Sequence, residues 1–229
     1  MSIRRYAQRR LPCGSLCSSV LPGFSLLLLI LSVVPVSASG DPKLTYRKIF
    51  KSSSPEFIEV IITPSGSGIV DIRQLDDDPD PQPIELSPEF AARLFEMAAE
   101  LKHFNGIELD VKRRLANLGE KTFRYESGAE AHETTFNYTV NQTAAQLMQA
   151  FEGIARQEGH RQLLLHRLRF DRLGVNDALI ALDTDVRRGL IPEPARLLPV
   201  LEAVSNDSRI IEIARSRARA LVERIRAGR

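Results

Sequence analysis

Residues 121–151, KTFRYESGAEAHETTFNYTVNQTAAQLMQAF, decide the fold. Lys121 to Glu126 reads as a strand, Ser127-Gly128-Ala129-Glu130 as a turn, and His132 to Val140 as a second strand. In the latter, Phe136, Tyr138 and Val140 alternate with Thr135, Asn137 and Thr139, the period-two pattern of a strand buried on one face. Thr143 and Gln146 form a capping box opening a helix, because hydroxyl and amide can each satisfy an orphan backbone N–H of the first turn. Leu147, Met148, Phe151, Ile154 and Ala155 then face inward at helical spacing.

The same order stands earlier in the chain. Phe57 to Thr63 is rich in isoleucine and valine, Pro64-Ser65-Gly66-Ser67-Gly68 is a turn, and Ile69 to Leu75 alternates again. Ser87 can cap a helix with Pro88 at its first position, and Phe90, Leu94, Ala98 and Leu101 line one stripe. From Phe57 to Lys121 the offset is 64 residues, and from Pro88 to Ala144 it is 56, so the first copy carries eight extra residues. Asp76-Asp77-Asp78-Pro79-Asp80-Pro81-Gln82-Pro83 is the place for them. Two strand-strand-helix units predict an α+β fold over 41–157, with a mainly antiparallel sheet and helices on one face. Thr45 to Phe50 is expected to add an edge strand. The pattern from Phe104 to Leu118 assigns no element.

From Arg161 onward the period is helical throughout. Leu164, Leu165, Leu168 and Leu173 mark one segment, and a second begins at Val175-Asn176 with Leu179, Leu182 and Val186 inward and Gly189 at its end. Pro192 and Pro194 open a third with Leu197, Leu198, Leu201 and Val204. Asp207 is expected to cap a fourth, lined by Ile210, Ile211, Ala214, Leu221, Val222 and Ile225. Four such helices make a helical domain or subdomain over 158–229. Residues 194–225, with Pro194-Ala195-Arg196-Leu197-Leu198-Pro199-Val200-Leu201, Asn206-Asp207, Ala214-Arg215 and Ala218-Arg219-Ala220-Leu221, resemble a single HEAT-like helical hairpin. The resemblance implies helix pairing and nothing about a binding surface, since such repeats need stacked neighbours to build one.

Met1 to Ala38 reads as an export signal. Arg4, Arg5, Arg9 and Arg10 form a positive start without an acidic residue, Phe24 to Val34 is apolar, and Val36-Ser37-Ala38 offers small residues for cleavage. The apolar run has 11 residues, against roughly 20 for a membrane span, so cleavage near Ala38 is expected and a retained N-terminal anchor is the alternative. Tyr6-Ala7-Gln8 after Arg4-Arg5 departs from a twin-arginine signal. Cys13 and Cys17 leave with this segment, which removes disulfides and thiolate chemistry from the mature chain.

Removing four arginines from 31 basic and 29 acidic residues leaves 27 against 29, a net of −2. The mature charge is unevenly spread. Residues 158–229 carry 14 arginines, no lysine and 10 acidic residues, whereas 39–157 carry 13 basic and 19 acidic ones. Opposite signs of this kind are explained first by one half packing on the other.

Candidate chemistry is thin. Asp76, Asp77, Asp78 and Asp80 could ligate a hard cation such as calcium, but the loop lacks the central glycine and distal glutamate of an EF-hand. A solvated loop is the better reading. His103, His132, His160 and His166 are scattered, and His132-Glu133 sits in a strand instead of the helix that pairs histidines four apart in metalloproteases. Ser65-Gly66-Ser67-Gly68 has neither the order of a nucleophile elbow nor a following lysine and helix for phosphate. Arg209, Arg215, Arg217, Arg219, Arg224 and Arg226 are interleaved with Glu212 and Glu223 and lack aromatics for base stacking. Asn137, Asn141 and Asn206 match glycan sequons by letter only. The chain is therefore expected to be an exported, non-enzymatic protein-interaction module. No catalytic residue, cofactor, nucleic acid or membrane span after cleavage is expected. The alternative is an exported hydrolase using His132, Glu133 and the acidic loop.

Overall fold

The computed structural model describes residues 40–113 and 115–228, so the export signal, its cleavage site and both cysteines lie outside the described residues. Six strands, β1 (Lys43–Ile49), β2 (Phe57–Ile62), β3 (Ser67–Arg73), β4 (Gln82–Glu85), β5 (Glu120–Ser127) and β6 (Glu130–Phe136), form one antiparallel sheet in the order β4-β3-β2-β1-β5-β6. Five helices complete the α+β fold: α1 (Pro88–Glu100), α2 (Gln142–Phe170), α3 (Val175–Arg187), α4 (Leu198–Asn206) and α5 (Glu212–Arg226).

The two copies flank β1, which pairs with β2 on one side and β5 on the other. Thr45 to Phe50, expected at an edge, therefore belongs to a central strand. A local pattern reports burial on a face but not which neighbours a strand finds. The extra eight residues of the first copy form a connection that runs into β4, so the insertion contributes an added edge strand as well as a loop. Pro83 is tolerated there because an edge position does not demand its missing N–H. Gly66, at φ 90°, turns β2 into β3, and its carbonyl accepts from Leu86 N at 2.8 Å. A Cβ at this position would collide with Leu86 O.

Alternation places Leu44, Tyr46, Val60, Ile62, Val70, Ile84, Phe123 and Phe136 on the face covered by α1 and α2, where they join Phe90, Leu94, Leu147, Phe151 and Ile154 in one core. Arg47, Ile69, Arg124 and Glu133 project from the opposite, exposed face. Ser87 caps α1 as expected, accepting from Phe90 N at 3.2 Å. The cap of α2 is Asn141, which accepts from Ala144 N at 2.9 Å, while Thr143 donates to Glu100 Oε2 at 3.1 Å. The expected Thr143/Gln146 capping box is displaced because Asn is at least as good a cap as Thr and precedes it. β6 ends at Phe136, leaving Tyr138 and Val140 exposed.

After α1 the chain turns through Lys102, His103 and Phe104, all with φ between 51° and 65°. Left-handed backbone costs ~1 kcal/mol or more per non-glycine residue. It is held by Phe104, buried and stacked 5.3 Å from Phe123, and by the His103 ring 4.2 Å from Tyr125.

α2 is unbroken over 29 residues, about 43 Å at 1.5 Å per residue. The boundary expected at 157/158 therefore falls inside a helix. Gly159 weakens a helix by only ~1 kcal/mol, and the burial of Ile154 and Ala155 on one side and Leu164 on the other outweighs that. Beyond it lies a second core built from Leu164, Leu179, Leu182, Leu197, Leu201, Val204, Ala218 and Leu221. α4 and α5 form a helical hairpin, opened by a 3-10 turn at Pro194–Leu197. α5 begins at Glu212 after Ile211, and Asp207 instead accepts from Arg209 N at 2.9 Å in the connection before it. Leu165 and Leu173, expected inward, are exposed. No helix among the described residues is long and apolar enough to cross a membrane.

Candidate functional site

The middle of α2 crosses the end of β1, and a charged cluster forms there. Alternation turns Lys48 to the same face as Leu44 and Tyr46, between Ile58 of β2 and Lys121 of β5. Glu152 Oε1 accepts from Lys48 Nζ at 2.7 Å and from Tyr46 Oη at 3.1 Å. Burial, then the negative charge and hydrogen bond of Glu152, push the Tyr46 phenol well above its ordinary range. It is held protonated. Lys121, also nearly buried, is pushed down by burial and by the charge of Lys48, with Glu152 and Asp110 acting against this. Its ammonium donates to the carbonyls of Leu118, Gly119 and Asn137 at 2.8 to 2.9 Å, so it ties two loops together.

One turn along α2 from Glu152, the Arg156 guanidinium lies 3.7 Å from Asp185 Oδ2. That oxygen has a closer partner in His160 Nε2, at 2.8 Å. A cleft of about 330 Å³ opens beside these groups, with Phe50, Pro55, Ile58, Ile72 and Ala155 as its apolar lining and Lys48, Glu152 and Arg156 around it. Gly159 completes the wall. A Cβ built there meets nothing within 4 Å. On the far side of the Glu152–Arg156 ridge a second hollow reaches Pro192, which approaches Gly153 so closely that a Cβ would lie 3.2 Å from its ring. The cleft thus sets a carboxylate paired with an ammonium and a phenol beside a guanidinium whose ion pair with Asp185 is 3.7 Å long.

A second unusual region is the end of the helical half remote from the sheet. Phe170 is 67% exposed, Leu173 79% and Ile213 59%. Arg169 lies over the Phe170 ring, 5.0 Å from its centroid. Hydrogen bonds from Arg209 hold the Asp207 carboxyl at about 2, with the charges of Arg209 and Arg172 adding to the effect.

The residues singled out from sequence are not brought together. Asp77 accepts from Gln74 N at 3.1 Å and Asp80 from Gln82 Nε2 at 2.7 Å, so both carboxylates serve the loop they belong to. Asp76 and Asp78 stand exposed in it. His132 and Glu133 occupy opposite faces of edge strand β6, and Glu133 lies 3.5 Å from Arg124. Four strand spacings, roughly 19 Å, separate β6 from β3, at whose end the acidic loop begins. Among the described residues no three His, Cys, Asp or Glu side chains converge as a metal-ligand set.

The six arginines from Arg209 to Arg226 all find acceptors: Arg209 on Asp207, Arg215 and Arg219 on Glu212, Arg217 on Asn176, Arg224 on Asp183 and Arg226 on Glu202. Three of these pairs tie α5 to α3 and α4. Two sequon asparagines are structural: Asn137 Oδ1 accepts from Leu118 N at 2.7 Å, and Asn141 is the helix cap. Lys48, Glu152 and Arg156 were not singled out from sequence. The signal for them was a lysine in register with Leu44 and Tyr46, and an acid and a base four apart on one helix face. No protein-family model matches the chain, and no curated protein matches it either.

Proposed function

We propose that the protein is a non-enzymatic protein-interaction module that works outside the cytoplasm after removal of Met1 to Ala38. The observation that carries this is the exposed apolar end of the helical half, where Phe170 and Leu173 stand two-thirds or more uncovered. Exposed apolar side chains that join into one contiguous patch mark contact surfaces. Arg169 and Arg172 flank them. The partner that suits this end is a protein with an apolar pocket rimmed by carboxylates, which would desolvate the two side chains and pair with the arginines at its margin. The hydrolase alternative would require His132 and the acidic loop, at opposite edges of the sheet, to meet.

Photo-crosslinking from position 170 or 173 in cell-envelope extracts, followed by affinity measurement with the purified partner, tests the reading. Phe170→Ser with Leu173→Ser is expected to weaken binding by ~100-fold or more while leaving the melting temperature unchanged, since neither side chain is buried. Equal affinity for the double variant overturns the proposal, as does turnover on hydrolase substrates lost in His132→Ala. N-terminal sequencing of the mature protein is expected to start near Ser39 or Asp41.

A further inference from the structure

We propose that the cleft between β1–β3 and α2 binds an organic carboxylate with an apolar body, at a site separate from the helical end. Its lining divides in two. Phe50, Ile58, Ile72 and Ala155 offer an apolar bed, and Lys48 and Arg156 are the cations beside it. Glu152 contributes the opposing charge, but Lys48 at 2.7 Å and the Tyr46 hydroxyl at 3.1 Å already occupy one of its oxygens. With that pair neutral, the guanidinium of Arg156 remains. Its acidic neighbour Asp185 is 3.7 Å away and bonded to His160, so the guanidinium fork retains the capacity to take a carboxylate in two parallel hydrogen bonds. Lys48 Nζ has three protons and spends one on Glu152, which leaves it able to approach the same anion.

The size agrees with this chemistry. About 330 Å³ is at the small end of ligand pockets and accommodates a chain or ring of some ten heavy atoms. Gly159 is part of the lining, and a Cβ there would meet nothing within 4 Å, so the wall is open at this point. A glycine in the interior of α2 weakens the helix, and an open cleft is the gain that stands against that loss.

Titration calorimetry on the full mature chain tests the site with octanoate as the probe. Octanamide and octan-1-ol remove the charge, and acetate removes the apolar body. Octanoate is expected to bind saturably, the two uncharged analogues at least ~10-fold more weakly, and acetate without detectable heat. A peptide ending in leucine, with a free or an amidated C-terminus, separates a free organic acid from a chain terminus as the source of the carboxylate. Arg156→Gln is expected to weaken octanoate ~10-fold or more. Gly159→Leu fills the cleft without touching a charge, replaces a poor helix former with a good one, and is expected to abolish binding while the melting temperature holds or rises. Equal affinity for octanoate and octanamide, unchanged binding in both variants, or no binding of any carboxylate overturns the proposal.

Discussion

The two cores of this protein are made of different material. Beneath the sheet, Tyr46, Phe90, Phe104, Phe123, Phe136 and Phe151 meet in one cluster, with Tyr46 and Phe151 stacked at 5.3 Å. The helical core contains only leucine, valine, isoleucine and alanine among its buried members. The difference follows from geometry. Helices on a twisted sheet leave wide, irregular gaps that rings fill, whereas helices that approach one another at 8–10 Å interlock with aliphatic knobs and small residues such as Ala214 and Ala218. Joining the two is a shared rod: α2 gives Phe151 and Ile154 to one core and Leu164 to the other. Polar ties reinforce the joint, for Glu193 accepts from Ser87 N at 3.0 Å, and its own N–H donates to Gln157 Oε1 at 3.0 Å.

Truncating the centre of the aromatic cluster is expected to have the largest effect. Phe123→Ala should cost ~3–5 kcal/mol, and because α2 is shared, far-UV circular dichroism and near-UV signals should be lost in one coincident transition. A helical half that stayed folded past the loss of the sheet would break the comparison in favour of two independent units. Gly159→Pro probes the rod itself. It removes the N–H that bonds to Ala155 O and should cost ~3 kcal/mol, splitting the melt into two steps that calorimetry resolves. If a single transition persists, Glu193 and the packing of the halves carry the coupling without the rod.

The alkaline limb probes the sheet half, where Tyr46 and Lys121 lie. Tyr46 is raised in the fold from its ordinary 10.0, so its contribution is complete below pH 10 and is lost as pH rises above it, by at most ~1.4 kcal/mol per pH unit. Lys121 is lowered and works in the opposite sense, its contribution rising with pH up to its ordinary 10.5. Tyr46→Phe is therefore expected to cost ~1 kcal/mol at pH 7 but to decline less steeply than the wild type between pH 10 and 11 in urea titrations. The smallest effect concerns the left-handed turn. Lys102→Gly, at φ 53° and exposed, should stabilise the protein by ~1 kcal/mol, measured as a shift in urea midpoint.

How much of this was legible in the sequence depends on whether the deciding contact was local. The strands Phe57–Ile62 and Glu120–Ser127, the Ser87 cap and the place of the insertion were readable, since period, turn residues and caps act over a few positions. The central place of β1 was not, because both its neighbours come from elsewhere in the chain. The change of pattern and charge at 157/158 lies inside a continuous helix, because α2 packs on both cores. The cleft escaped for the same reason as β1: Lys48 and Glu152 are 104 residues apart and meet only through the fold.

The position of β1 also sets the order in which the sheet can assemble. Its pairing with β2 joins residues 8 to 18 apart, from Ile49↔Phe57 to Leu44↔Ile62, whereas its pairing with β5 joins residues 71 to 83 apart, from Ile49↔Glu120 to Lys43↔Glu126. Closing the longer loop costs about 1.5 kcal/mol more in chain entropy, so the β1–β2–β3 meander is the natural nucleus and the β5–β6 hairpin docks later. Until it does, the backbone donors and acceptors along one side of β1 are unpaired and open to any other extended chain. A strand paired on both sides in the finished sheet is thus, until β5 docks, an open edge.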